Sequence, residues 1–370
     1  MALVSLQLHD FRNIAAAQLE FAPGWNLICG ANGSGKTSLL EAVYLLAHGR
    51  SFRTAKSHKV IRHETAQYTL FARVDWSMQQ IALGMQRNRQ GDWQVRLNGE
   101  SVQRLADCAS LLPVQLLQPE SFRLFFGGPR ERRQFFDLGL FHVEPSFYDI
   151  WLRFNKVLKH RNALLKNRQA YGPQYQYWDQ QFVELALQLQ QLRQQYLQSL
   201  LTELLRLTVD VGSLVGLQLE LAPGWQVRNG DAAELAQQLQ DSFASDLKSG
   251  YCLLGPQKAD LRVKVAGEYV DDVLSRGQLK VLLFALKVAQ SNVIAQRGHK
   301  QPLLLIDDLA SELDDQSKRQ IFNFLDQLQS QVFITAIEPD QILPHLTQDA
   351  ALFHVEHGQI KRTDDDGRRT

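Results

Sequence analysis

Residues 30–37 read Gly-Ala-Asn-Gly-Ser-Gly-Lys-Thr, and this octet constrains the chain more than any other feature. It fits the phosphate-loop pattern GxxxxGK[ST] in full. A short apolar run, Trp25–Cys29, precedes it, and Leu39, Leu40, Val43, Leu46 and Ala47 follow at helical spacing over Thr37–His48. The chain must therefore pass from strand to tight glycine turn to helix. Such a turn lets the backbone of Gly30, Ala31, Asn32, Gly33, Ser34 and Gly35 aim successive N–H groups at phosphate oxygens. The positive end of the following helix adds to that attraction. Lys36 supplies a point charge for outer phosphates, and Thr37 a hydroxyl for Mg²⁺.

A second half of the site lies far along the chain. Leu303–Ile306 is a buried strand pattern that ends in Asp307 and Asp308. Alone, a strand ending in two carboxylates is as easily a solvated turn. Beside a complete phosphate loop, Asp307 reads as the metal's carboxylate and Asp308 as the group that orients or deprotonates water. Shortly before that strand, Ser275, Arg276, Gly277 and Gln278 open a helix carrying Leu279, Leu282, Leu283 and Leu286. A serine there is either a simple N-cap or a hydroxyl presented to a phosphate, which need not belong to the same chain.

Between these segments the composition changes. Residues 68–97 read as antiparallel strands with turns at 89–92 and 97–100, and Val114–Leu117 as another strand. From about Pro129 to Thr208, turn residues become scarce, with one break at Tyr171-Gly-Pro173. Leu185, Leu189, Leu192, Tyr196, Leu200 and Leu204 form the stripe of an amphipathic helix. Two helices meeting near residue 172 are expected, either as a modest projecting arm or within an ordinary helical subdomain. Strand–helix alternation then returns: strands at Leu217–Leu221 and Leu261–Val265, helices at Ala232–Leu247 and Gln278–Gln296. Asp315–Leu328 is expected as a helix, Val332–Ala336 as a strand and Ala351–Glu356 as the last strand; the tail from Asp364 is read as frayed. The expected architecture is α/β, a phosphate-loop head with a mixed sheet and flanking helices, plus a helical arm subdomain. Its boundaries fall at 1–128, 129–210 and 211–370.

Forty Lys and Arg balance 39 Asp and Glu, which excludes a histone-like polycation but not a local basic groove. Cys29, Cys108 and Cys252 are too far apart for a zinc site or a disulfide framework, and the ten histidines show no paired spacing. The N-terminus lacks a signal-peptide pattern and no apolar run reaches membrane length, so a cytoplasmic protein is expected.

Ser311-Glu-Leu-Asp314 completes an ABC-like order of motifs. The whole chain resembles the RecF family of DNA-repair ATPases, relatives of the SMC and Rad50 heads. The segments that carry the resemblance are Leu8–Asn13, the phosphate loop, Gly49–Thr54, Gly128–Asp137, Ser275–Gln278 and Leu304–Asp314. The resemblance implies an ATP- and Mg²⁺-dependent homodimer clamped on DNA, single-stranded or gapped duplex. It also implies action with RecO and RecR to help load RecA at single-strand gaps. Carried over, Lys36, Thr37, Asp307 and Asp308 act in cis, and Ser275, Arg276, Gly277 and Gln278 in trans. Arg12 resembles the arginine that reaches nucleotide phosphate, Asp314 would lie at the dimer seam, and either Gln115 or Gln118 would line the metal. Two departures matter. Asp308 stands where Glu is usual, and Thr335 where a histidine often follows the strand. Both point to a slow ATP-timed switch rather than a motor.

Arg153, Lys156, Lys159 and Arg161 lie in a stretch from 153 to 168 without Asp or Glu. They read as a DNA-phosphate face or as an ordinary solvated helix face. Arg130, Arg132 and Arg133 are a second basic cluster, equally suited to core salt bridges. Three rival functions share parts of the pattern. The ATP-binding subunit of an ABC transporter lacks such a helical insertion; an SMC-like structural head needs far longer coiled-coil segments; and a P-loop kinase has no use for Ser275–Gln278.

Overall fold

Trp25–Cys29, Val332–Ala336 and Leu303–Ile306 are unbroken runs of buried residues because each lies between two parallel neighbours, with both faces covered. They form the middle of a sheet in the computed structural model, which describes residues 1–76, 79–227, 230–308, 313–328 and 330–363. The chain divides into two compact units, Phe122–Leu279 and the remainder on either side of it.

The first unit opens with β1 (Ala2–Phe11), β2 (Ile14–Glu20), β3 (Trp25–Cys29) and α1 (Lys36–His48). Then come β4 (Gln67–Trp76), β5 (Gln79–Asn88), β6 (Trp93–Leu97), β7 (Glu100–Ser101), α2 (Leu105–Leu111) and β8 (Val114–Leu117). An antiparallel sheet runs β2-β1-β4-β5-β6-β7. Its period-two pattern is plain in β4, where Tyr68, Leu70, Ala72 and Val74 are buried and the residues between them are not. Asn98 and Gly99 both have positive φ, as a two-residue hairpin turn demands.

The second unit begins with α3 (Arg123–Phe126), α4 (Pro129–Val143), α5 (Phe147–Lys166) and α6 (Pro173–Leu207). It continues through β9 (Leu217–Ala222), α7 (Ala232–Asp241), α8 (Phe243–Ser249), β10 (Asp260–Val265), β11 (Glu268–Tyr269) and α9 (Val270–Val273). Gly172-Pro173 starts α6, the proline occupying a position whose N–H needs no partner. Phe182, Leu185, Leu189, Tyr196, Leu200 and Leu204 are its buried stripe, and Phe154 of α5 meets Phe182 with ring centroids 5.1 Å apart.

Here the structure departs from the sequence-based expectation. The strands at 217–222 and 260–265 do not join the mixed sheet that holds β3; they pair with each other in a three-stranded sheet, β11-β10-β9. A bidentate pair from Arg132 to Asp260 ties that sheet to α4, so the helical unit extends well beyond residue 210. The expected helix over 232–247 is interrupted at Ser242, whose hydroxyl donates to Leu239 O at 3.3 Å and competes with the backbone ladder.

The chain ends with α10 (Arg276–Gly298), β12 (Leu303–Ile306), α11 (Asp315–Leu325), β13 (Val332–Ala336), β14 (Ala350–Glu356) and β15 (Gln359–Thr363). The mixed sheet runs β15-β14-β3-β13-β12-β8, parallel except for the β14–β15 hairpin. The last strand, β15, is polar and on the edge, and its alternation is too weak to read from sequence. Ser311 and Glu312, and the tail from Asp364, lie outside the described residues. Among the described residues no helix is long and apolar enough to cross a membrane.

Candidate functional site

The phosphate loop leaves the end of β3 and turns into α1 at the point where β12 and β13 also end. Two glycines are required by the space. Gly30 has φ +151°, and a Cβ there would stand 2.2 Å from Val355 O; Gly35 has φ +126°, with Asn13 Nδ2 at 3.0 Å from the Cβ position. Asn13 braces the loop, donating from Nδ2 to Ser34 O at 2.9 Å and accepting from Ser38 Oγ at 3.0 Å.

The loop borders a cavity of about 470 Å³ whose walls include Arg12, Lys36, Thr37, Arg53, Asp307 and Thr335. The parallel register brings Asp307 to this cavity, since β12 stops there and Asp307 N donates to Leu117 O of β8 at 2.8 Å. Its Oδ1 accepts from Thr37 Oγ1 at 3.1 Å and from Thr335 Oγ1 at 2.9 Å. Burial pushes the Asp307 carboxyl above its ordinary range, while the two threonine hydroxyls pull the other way. Thr335, fully buried, thus takes the place beside the carboxylate where the sequence offered no histidine. Its Oγ1 also accepts from Asp308 N at 2.9 Å, and Asp308 is held at φ +54°, a conformation aspartate tolerates better than most residues.

Lys36 folds over the loop, its Nζ donating to Gly30 O at 2.6 Å and Ala31 O at 3.1 Å. Arg12 also borders the cavity. Its guanidinium is bidentate to Glu41 at 2.8 and 2.5 Å, and its NH1 donates to Lys59 O at 2.8 Å. Arg53 approaches the same carboxylate at 3.5 Å. Sequence reasoning passed over Glu41, Asn13, Ser38 and Lys59. Glu41 had a legible signal, a lone carboxylate inside the apolar stripe of α1. Cys29, next to the loop, has a thiol pushed up to about 12 by burial, with the charge of Glu338 adding, so it is no nucleophile at neutral pH.

An oxygen-only pair of one hydroxyl and one carboxylate on the cavity wall suits Mg²⁺. Among the described residues no group of three or more His, Cys, Asp or Glu could hold a metal. Neither Gln115 nor Gln118 borders the cavity. Gln115 is buried instead in a side-chain cluster, donating to Gln290 Oε1 at 2.8 Å and accepting from Lys287 Nζ at 3.1 Å. Desolvation lowers the Lys287 ammonium to about 8.

The other expected residues are not among those that border this cavity. Ser275 forms a reciprocal cap with Gln278: Ser275 N donates to Gln278 Oε1 at 2.8 Å, and Gln278 N to Ser275 Oγ at 3.3 Å. Ser275 and Arg276 are exposed, Gly277 half-buried. Asp314 is the N-cap of α11 and accepts from Ser317 N at 2.7 Å, a bond that holds its carboxyl below the ordinary range.

The basic face needs one correction. Arg153, Lys156 and Lys159 are exposed on α5, as a phosphate contact requires. Arg161 is not available to DNA. It is fully buried between Asp179 and Asp246, each 2.7 Å away, because its position falls on the apolar side of α5 with Phe154, Val157 and Leu165. The second cluster also turns inward: Arg132 is paired with Asp260, and Arg133 donates to Ala259 O at 2.5 Å, leaving Arg130 exposed.

Comparison with known proteins agrees with this geometry. Residues 2–361 match the family described as the RecF/RecN/SMC N terminal domain. The chain is 44% identical over 361 residues to the DNA replication and repair protein RecF of Shewanella baltica strain OS155, covering 97% of this chain and 99% of that one. Among solved structures it is similar to the recombination mediator protein RecF with ATPrS in the RecFOR pathway. That likeness has a TM-score of 0.85 and 24% identity, with 98% of each chain covered. An Smc head bound to the C-winged helix domain of ScpA gives a TM-score of 0.59 at 13% identity, over 98% of this chain and 97% of that one. The chain belongs to the RecF family of DNA replication and repair proteins, within the RecF/RecN/SMC group.

Proposed function

We propose that the cavity binds ATP with Mg²⁺ and that the protein is an ATP-switched, DNA-binding dimer of recombinational repair and replication-fork maintenance. The observation that carries this reading is the convergence of Lys36, Thr37 and Asp307 on one cavity, from segments at opposite ends of the chain. In it, the loop N–H groups and Lys36 hold the phosphates. Thr37 and Asp307 hold the metal, which neutralises developing phosphate charge when bound. Asp308 orients water, and Arg12 meets a phosphate. The Ser275–Gln278 cap, exposed at Ser275 and Arg276, serves the nucleotide of a second copy, with Asp314 near that seam. Arg153, Lys156 and Lys159 contact DNA phosphates. The short Asp308 side chain and Thr335 favour slow hydrolysis, as a timer. By similarity to relatives named for replication and repair, and to a structure named for the RecFOR pathway, the switch helps load RecA at single-strand gaps with RecO and RecR. Family membership disfavours the alternative, the ATP-binding subunit of a membrane transporter.

Sedimentation tests this directly. ATP and gapped DNA together shift the protein from monomer to dimer, and Ser275→Arg keeps ATP affinity while losing the shift. A wild-type chain that stays monomeric with both ligands overturns the switch.

A further inference from the structure

Glu41 does not itself border the phosphate cavity but is paired with Arg12 and Arg53, which do, and it has no part in the nucleotide binding or hydrolysis proposed above. It lies on α1 one helical turn beyond Thr37, on the same side of the helix, and is fully buried. A buried carboxylate persists only when cations and hydrogen bonds compensate for its missing hydration. Here it receives two bonds from Arg12, one from the Ser51 hydroxyl and the longer approach of Arg53.

These partners form one wall. Ser51 Oγ in turn accepts from Arg53 N at 2.9 Å and Thr54 N at 3.0 Å, which fixes the turn that carries Arg53. Arg12 NH1 holds Lys59 O, which fixes the segment carrying Lys59. Arg12, Arg53 and Lys59 all border the phosphate cavity, and Arg53 is near enough to Asp307 for its charge to act on that carboxylate. Among the described residues, every Lys or Arg of the cavity other than Lys36 is therefore tied, directly or through one hydrogen bond, to a single carboxylate on the helix that carries Lys36 and Thr37.

We infer that Glu41 is a positioning residue that holds Arg12 and Arg53 against the outer phosphates of a nucleoside triphosphate. This rests on the cavity being the ATP site. The carboxylate sets the side of the wall from which the guanidinium groups meet the ligand, and it lowers the wall's net charge. A ligand that lacks the terminal phosphate reaches less of this wall and depends on Glu41 less. A residue that merely stabilised the unit would weaken ATP and ADP binding alike.

The test is the ratio of ATP to ADP affinity, measured on the full chain by calorimetry with Mg²⁺, beside thermal melting. Glu41→Gln should lower the ratio about tenfold, the scale of one charge-assisted hydrogen bond, and Glu41→Asp should recover part of it. Ser51→Ala removes the hydroxyl's bond to Glu41 and its hold on the Arg53 turn, leaves the Arg12–Glu41 pair in place, and should lower the ratio about threefold in a folded protein, the scale of one ordinary hydrogen bond; it serves if Glu41→Gln does not fold. Adding Arg53→Ala to Glu41→Gln should lower the ratio less than the sum of the two single effects. A ratio unchanged in Glu41→Gln and Ser51→Ala, while the wild type binds ATP and Lys36→Ala binds it more weakly, overturns the role of Glu41 alone. A wild type that binds no ATP overturns the cavity assignment and this role with it.

Discussion

Arg12 and Arg161 are both doubly paired arginines, and they do opposite things. Arg12 is tied to Glu41 and Lys59 O yet keeps a face on a 470 Å³ cavity. Arg161 is sealed between Asp179 and Asp246, with no surface left for a ligand. The contrast shows that pairing alone says nothing of role. What decides it is whether the remaining guanidinium edge faces a void that an anion can enter. The same contrast separates Arg161 from Arg153, Lys156 and Lys159 on one helix, where helical phase puts three cations in water and the fourth in the core.

The largest expected effect breaks the buried side of this comparison. Arg161→Ala strands two carboxylates in the core and should destabilise the protein by about 3–5 kcal/mol, read as a fall in urea midpoint. If stability held and only DNA affinity fell, Arg161 would belong with the surface cations after all. Lys36→Ala probes the cavity side. It should weaken ATP binding by about 10–100-fold, the range of one hydrogen bond to a charged group, with little change in melting. Equal ATP affinity in variant and wild type would remove the loop from nucleotide binding.

The surface cations give a smaller effect. Lys156→Glu with Lys159→Glu should lower the log–log salt slope of DNA binding by about 0.7–0.9 for each phosphate that is no longer neutralised. An unmoved slope would make this part of α5 an ordinary solvated face. The smallest effect concerns Asp307. Burial raises its folded-state pKa above the unfolded value, so the folded state binds this proton more tightly. The ligand-free protein therefore loses stability as pH rises from the ordinary carboxylate range through the raised pKa. Asp307→Asn should remove that loss and melt slightly higher at neutral pH, while its ATP binding no longer responds to Mg²⁺. A variant with an unchanged pH profile would show that the two threonine hydroxyls fully offset burial.

Much of the site was legible because it consists of contiguous backbone. Gly30–Thr37 states its own conformation, since glycine at fixed intervals and Lys-Thr at the helix start leave few alternatives. Trp25–Cys29, Leu303–Ile306 and Val332–Ala336 were legible as strands from their short, largely apolar runs, and the structure pairs them in parallel. Thr335 was visible only as a missing histidine, because its hydroxyl acquires meaning from the register that sets it 2.9 Å from Asp307. Asp246 and Asp179 gave no sign of their partner Arg161, which lies 85 and 18 positions away from them along the chain.

The sequence by itself determined the phosphate loop, the strand ending in Asp307, the helix-rich middle and the family, all written in local spacing or in a run of motifs. Tertiary structure alone decided which sheet received Leu217–Ala222 and Asp260–Val265, which glutamine turned into the core, and which arginines faced solvent, cavity or carboxylate. The physical reason is that local propensity selects a helix or strand. Burial of charge is settled only when partners from remote segments meet at hydrogen-bonding distance and replace water.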